Sequence, residues 1–320
     1  MSALAVDGLT KYYGDVRGVE DLSFSVREGE VFGFLGPNGA GKTTTIRTLM
    51  GFLRPTSGTA TVLGRDVRDE AELIEAKRDV GFLPAEPAFD ESVTGRRILD
   101  YHARLKGDDR RSELLASFEP PLDRPVGEYS RGNEQKLAIV AAFMHDPDLL
   151  VMDEPTSGLD PLLQDRFHGF VRGEREAGKT AFFSSHVLSE VRKVCDRVGI
   201  LRDGRLVTLE SIGEILSRSG KRVRVQVAED VGPAAFEMPG AHGVSGGEVI
   251  SFTFTGEYGT LLDRLREYTV LDLDVEEAPL EEVFARFYGN GGDPTGRDGA
   301  DEGNPDTQGR GGTDPEGDRP

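Results

Sequence analysis

Of the 320 residues one is a cysteine, Cys195, and none is a tryptophan. A single cysteine excludes an intrachain disulfide and fits a reducing compartment. Lysine is scarce as well, at 8 against 30 arginines. The 38 bases are outweighed by 57 acids, for a formal net charge of −19. That balance argues against nucleic acid as the main partner, because phosphate-backbone binding needs a basic face. An acid-rich, lysine-poor surface repels itself where counter-ions are scarce. A high-salt cytoplasm tolerates it, so a halophilic source is expected. No run approaches the ~20 apolar residues of a membrane span, and no N-terminal stretch joins a basic segment to an apolar core as a secretory leader does. The expectation is a soluble, cytoplasmic chain that reaches the inner face of a membrane only through another subunit.

What is present is an alternation of strands and helices. Residues 1–214 read as one α/β domain, with short apolar runs at 31–35, 79–83, 149–153, 180–184 and 197–202 between helical stretches. This pattern implies a mostly parallel sheet covered by helices. The first sixty residues are also strand-rich, and Leu22-Ser23-Phe24-Ser25-Val26 alternates with period two. Between about 85 and 145 the strand signal vanishes; Ile98, Leu99, His102 and Leu105 are expected to share one helical face, which marks a helical insertion. Residues 220–288 read as a separate small α+β unit. In it Arg222–Val227 and Val249–Phe254 alternate as strands, one helix is expected over 258–267, and another from Pro279 with Leu280, Val283, Phe284 and Phe287 on one side. From Gly289 onward there are 8 acids and 3 bases, and Ala300 is the one apolar residue besides glycine and proline. Such a tail cannot offset its ordering entropy and is expected to be disordered.

Two motifs carry chemistry. The run Gly36-Pro37-Asn38-Gly39-Ala40-Gly41-Lys42-Thr43-Thr44 fits G-x-x-x-x-G-K-[ST], between an apolar strand and a helix. Glycines let backbone N–H groups surround an anion, and the helix that follows adds its positive dipole end. Lys42 then reaches the β- and γ-phosphates, and the Thr43 hydroxyl is placed to ligate Mg²⁺. Alone, the run also fits a glycine turn before an ordinary helix. The second motif is Leu149–Glu154, an apolar strand ending in two carboxylates at the edge where ligands bind in parallel sheets. Asp153 is the expected Mg²⁺ ligand, direct or through water, and Glu154 the group that polarises the attacking water. Without the phosphate loop, the pair reads equally well as acids capping a helix after a core strand.

With these placed, the order of the remaining motifs resembles the nucleotide-binding subunit of ABC transporters over about residues 5–210. Ser130-Arg131-Gly132-Asn133, about twenty residues before the acid pair, is similar to the family signature L-S-G-G-Q. Pro155-Thr156-Ser157-Gly158-Leu159-Asp160 matches the D-loop, His186 the switch histidine, and Tyr13 the aromatic that stacks on adenine, with Tyr12 as competitor. The resemblance implies a RecA-like P-loop core with an N-terminal antiparallel β subdomain and an inserted helical subdomain. It implies ATP and Mg²⁺ as ligands and hydrolysis at Glu154, with His186 bridging to the γ-phosphate. Ser130 and the N–H of Gly132 would serve the ATP of the opposite subunit, so two copies, most simply a homodimer, close face to face. A separate transmembrane permease is the implied partner. The signature and the sequence Pro279–Phe284 resemble the drug, antibiotic or multicopper-maturation export branch. A soluble, non-transport ABC ATPase is disfavoured by the single phosphate loop and the lack of a heptad run, and a turnover-free sensor by intact Glu154 and His186. The sequence departs from the family at Arg131 and Asn133, which replace glycine and glutamine. It departs again at the Q-loop, where Ala85 stands for the glutamine and Glu86 beside it is the candidate replacement.

Overall fold

The computed structural model describes residues 1–277; the helix expected from Pro279 and the tail from Gly289 lie outside them. β1 (Ser2–Tyr13) and β2 (Val16–Arg27) form a long antiparallel hairpin. Along β2, Leu22, Phe24 and Val26 are buried and Ser23 is exposed, so the period-two pattern sets which face is core. β3 (Val31–Leu35) is buried throughout and leads into α1 (Lys42–Leu49). β4 (Ser57–Val62) and the short β5 (Arg65–Asp66) return to the hairpin, giving a four-stranded antiparallel sheet in the order β2-β1-β4-β5. α2 (Glu70–Ala76) starts at Asp69, whose carboxylate accepts from the N–H groups of Ala71 and Glu72. It is followed by β6 (Val80–Leu83).

The stretch without strand signal holds α3 (Gly95–Lys106), α4 (Arg111–Phe118) and α5 (Arg131–Phe143). On α3, Ile98 and Leu99 are buried and His102 is half-buried, but Leu105 is 62% exposed. At about 100° per residue Leu105 falls on the flank of the stripe, and Ala103, half-buried, turns inward in its place. The chain then re-enters the sheet through β7 (Leu149–Asp153), α6 (Pro161–Glu176), β8 (Thr180–Ser185), α7 (Leu188–Val194), β9 (Arg197–Arg202) and β10 (Arg205–Ser211). The six strands run in the order β10-β9-β3-β8-β7-β6, parallel except for β10 at the edge. β10 is not among the strands expected from sequence: neither of its faces is fully buried, so its apolar alternation is weak. Its real signal is the two-residue turn Asp203-Gly204, with φ of 48° and 77°, which suits a hairpin.

Core packing follows from the parallel strands being covered on both faces. Val31 and Leu35 of β3 join the core on one side of the sheet, with the helices of the insertion. Phe32 and Phe34 join the core on the other side, with the antiparallel sheet. There Phe24, Phe32 and Phe182 stack and Phe34 packs tilted against them, with ring centroids 5.1–6.0 Å apart, and the four fasten the two sheets together. Each ring buried this way contributes about 1.5–3 kcal/mol. Beyond α8 (Ile212–Ser219), the strands β11 (Lys221–Val227), β12 (Ala241–Gly246), β13 (Ile250–Phe254) and β14 (Val270–Glu277) form a third sheet in the order β12-β13-β11-β14. α9 (Tyr258–Leu265) packs on it around Val223, Val225, Phe252 and Phe254, in a core distinct from the other two.

Candidate nucleotide site

The site lies at the C-terminal ends of the parallel strands, where neighbouring strands set its parts side by side. β3 ends into the loop Gly36–Gly41, and the N–H of Gly36 donates to Ser185 O at the end of β8 (3.3 Å). Gly41 precedes α1 with φ 106°. A Cβ there would meet Val19 Cγ1 at 2.5 Å and Gly18 O at 2.7 Å, so the loop lies directly on β2 and only glycine fits. The first residue of α1 is Lys42. Its ammonium is buried and donates to Gly36 O (2.6 Å) and Pro37 O (3.3 Å), and it lies 3.2 Å from Glu154 Oε1. It is thereby fixed across the mouth of the loop.

β7 and β8 supply the carboxylates and their partners. Thr43 Oγ1 donates to Asp153 Oδ2 (2.8 Å) and Ser184 Oγ to Asp153 Oδ1 (2.6 Å). A hydroxyl and a carboxylate oxygen converging in this way are hard donors. They fit Mg²⁺, which takes one or two protein oxygens and completes its shell with phosphate and water. Glu154 has φ 48°, a left-handed conformation that costs a non-glycine residue about 1–3 kcal/mol. The surrounding contacts hold it there: its N–H donates to Ser184 O (3.2 Å), and Oε2 lies 2.6 Å from His186 Nδ1.

One cavity of about 340 Å³ is lined by Tyr13, Val16, Arg17, Gly18, Asn38, Gly39, Gly41, Lys42, Thr43, Thr44 and Glu154. Tyr13 lies half-open on its wall, with Lys11 Nζ 5.4 Å from the ring centroid. Tyr12 does not line it; its hydroxyl donates to Glu20 (2.9 Å). Ser130–Asn133 are also absent from this wall. Ser130 caps α5, its Oγ accepting from the Asn133 N–H (3.3 Å), which leaves the hydroxyl proton available to an anion. Arg131 lies along the D-loop: its guanidinium donates to Ser157 Oγ (2.9 Å) and its stem rests on Gly158. Leu159 is buried, and Asp160 caps α6 through the Leu163 N–H (3.0 Å).

Ala85 and Glu86 follow β6 and lead elsewhere. Glu86 lines a second cavity, about 630 Å³, between the sheet and the helical insertion. Its walls carry Phe52, Phe82 and Phe89, with Phe52 59% exposed. Five basic residues also line it: Arg47, Lys77, His102, Lys106 and His145. Burial, and then the charge of Lys77, bring Lys106 down to about 8. Burial, and then Lys106, bring His145 down to about 4. Sequence reasoning missed this basic groove, because its members come from four separate segments. It also missed Ser184, whose role beside Asp153 follows from the register of β7 against β8.

A glycine-rich loop wrapped on a helix N-terminus, a buried lysine, and a strand-end aspartate beside a helix-start threonine define a P-loop nucleoside triphosphatase. The ABC transporter family profile matches residues 19–157. The chain is 31% identical over 297 residues to the bacitracin transport ATP-binding protein of Bacillus licheniformis, covering 88% of this chain and 96% of that one. It is 37% identical over 229 residues to the daunorubicin/doxorubicin resistance ATP-binding protein of Streptomyces peucetius, covering 69% of each. Among solved structures it superposes on an ATP-binding subunit of an ABC transporter with TM-score 0.62 and 31% identity, covering 67% of this chain and 92% of the other. The chain belongs to the ATP-binding subunits of ABC transporters, ATPases whose turnover is coupled to transport.

Proposed function

We propose that two copies of this chain bind two ATP molecules between them and that the closing and opening of this pair drives export through a separate permease. The observation that carries the reading is the division of parts. Lys42, Thr43, Glu154 and Tyr13 line one cavity, while the Ser130–Asn133 edge lies outside it. A phosphate in that cavity can meet Ser130 and the N–H of Gly132 only if a second copy presents them.

In this reading the loop amides and Lys42 hold the β- and γ-phosphates, and Tyr13 stacks on the adenine. Thr43 and Asp153 hold Mg²⁺, which supplies charge neutralisation for the phosphates. Glu154 orients and deprotonates the attacking water, and His186 fixes the carboxylate and reaches the γ-phosphate. Closure by the second copy excludes water and strengthens each of these interactions. Hydrolysis removes the shared phosphate and releases the pair, so the affinity difference between states is what performs mechanical work.

The basic groove beside Glu86 is where the permease docks. Apolar walls and the cations Arg47, Lys77 and Lys106, in a chain of net charge −19, favour an apolar segment that carries an acid. Export, rather than import, is supported by the relatives named for Nod factor export and for daunorubicin/doxorubicin resistance. The deciding experiment is sedimentation of Glu154→Gln with and without ATP. A dimer that forms with ATP and not with ADP is expected, and it should vanish in Glu154→Gln/Lys42→Ala. A monomer under saturating ATP overturns the reading.

A further inference from the structure

We propose that Glu190 is a positioning residue for ATP hydrolysis, whose carboxylate ties together the two loops that carry Glu154 and His186. The proposal rests on the assignment of those two residues above. Glu190 lies in the first turn of α7 and does not line the nucleotide cavity. Its Oε1 accepts from Thr156 Oγ1 at 2.6 Å, and its Oε2 accepts from Ser185 Oγ at 2.8 Å. Thr156 stands two residues after Glu154, and Ser185 immediately precedes His186.

Both hydroxyl-bearing residues are buried, at 3% and 0% exposed, so neither can exchange the carboxylate for bulk water. Hydrogen bonds to an ionised acceptor are about twice as strong as neutral ones. The Ser185 hydroxyl oxygen also accepts from the Val187 N–H (2.9 Å), and the Ser185 carbonyl accepts from the Gly36 N–H (3.3 Å). The carboxylate therefore fixes the β8 end against the segment after Glu154, and the Ser185 carbonyl holds the same residue to the phosphate loop. Glu154 is held in a left-handed conformation, φ 48°, and its Oε2 meets His186 Nδ1 at 2.6 Å. That contact spans two strand ends already joined by Ser184, through its hydroxyl to Asp153 and its carbonyl to the Glu154 N–H; Glu190 adds a tie one residue before His186 and two after Glu154. Without the tie, Glu154 relaxes and the water it orients moves.

The test is steady-state ATPase kinetics on the full chain, with nucleotide affinity from a fluorescent-ATP titration. Displacement of a catalytic group by about 1 Å costs up to ~100-fold. We therefore expect Glu190→Ala to lower kcat about ten- to hundredfold while KM and nucleotide affinity stay within about twofold. Glu190→Gln keeps one acceptor oxygen and should recover part of the loss. Thr156→Val, which removes one donor and leaves the carboxylate, should reproduce a kcat-only loss if Glu190→Ala does not fold. In a His186→Ala background, Glu190→Ala should cost less than about threefold more, because residues acting as a unit are not additive. Parent-like kcat in Glu190→Ala and Thr156→Val overturns the proposal, as does a full multiplicative loss on top of His186→Ala. A parent chain that does not hydrolyse ATP overturns both the site assignment and the tie; a hydrolysing parent with an indifferent Glu190 overturns the tie alone.

Discussion

Glu154 and His186 meet at 2.6 Å, Oε2 to Nδ1, although they come from the ends of two different strands. The other oxygen of Glu154 lies 3.2 Å from the Lys42 ammonium. One carboxylate thus stands between the group assigned to the phosphates and the group assigned to the γ-phosphate switch. The register of β7 against β8, pairing Asp153 with Ser184, sets that distance.

Lys42→Ala removes the buried cation from the phosphate loop and leaves Glu154 without its charged partner. ATP affinity should fall at least tenfold, about 1.4 kcal/mol, and turnover should vanish. Isothermal titration checks this; unchanged affinity would show that Lys42 does not contact phosphate.

His186→Ala leaves the loop and Lys42 intact. Binding of ATP should persist while kcat drops by about 10²–10⁴, the range for loss of an acid–base group or the group that orients it. Single-turnover assays separate the two effects, and undiminished turnover would remove His186 from the site.

Gly41→Ala places a methyl group against Val19 and the Gly18 carbonyl at a backbone angle of 106°. The strain should cost at least about 1–3 kcal/mol and distort the loop. Thermal unfolding together with ATP titration should show a lowered Tm and weakened binding. A variant that matches the parent in both would mean that the loop can shift off β2.

The His145 imidazole should make stability fall in acid. Its proton affinity is depressed in the folded chain, to about 4 from 6.5, chiefly by burial and then by Lys106. The unfolded chain therefore binds the proton more readily between those values. Stability is fully present above about pH 6.5 and is lost as pH falls toward 4, by roughly 3 kcal/mol at the limit. Urea denaturation from pH 7 to 4 should show this slope, and His145→Gln should flatten it. An identical slope in His145→Gln would assign the acid loss to other groups.

Phe52→Glu places a like charge among apolar side chains and acids of a docked permease segment. Co-purification with the permease should weaken, and undiminished recovery would locate the docking surface elsewhere. The expectation rests on Phe52 being exposed at the rim of a groove that holds Lys77 5.1 Å from its ring centroid.

Much of this protein was legible in one dimension. Strands covered on both faces are apolar through their middles, so β3, β7, β8 and β9 stand out within a residue of their bounds. The phosphate loop was readable because its glycines and lysine are adjacent in the chain. β10 was not, since an edge strand half-covered by its neighbour has little patterning to display. The spacing on α3 places Leu105 near the buried face, but among the described residues it stays exposed and the stripe turns instead toward Ala103.

The sequence by itself determined the local chemistry: a turn that accepts phosphate, a strand that ends in two acids, a helix that begins with serine. Tertiary structure alone decided which of these face each other. It put Tyr13 rather than Tyr12 on the wall of the cavity, turned Glu86 toward the basic groove, laid Arg131 along Ser157, and brought Glu190 under both Thr156 and Ser185. The physical reason is reach. Turn and helix signals act over a few bonds, whereas these contacts depend on strand order and register, which arise only when distant apolar segments share one core.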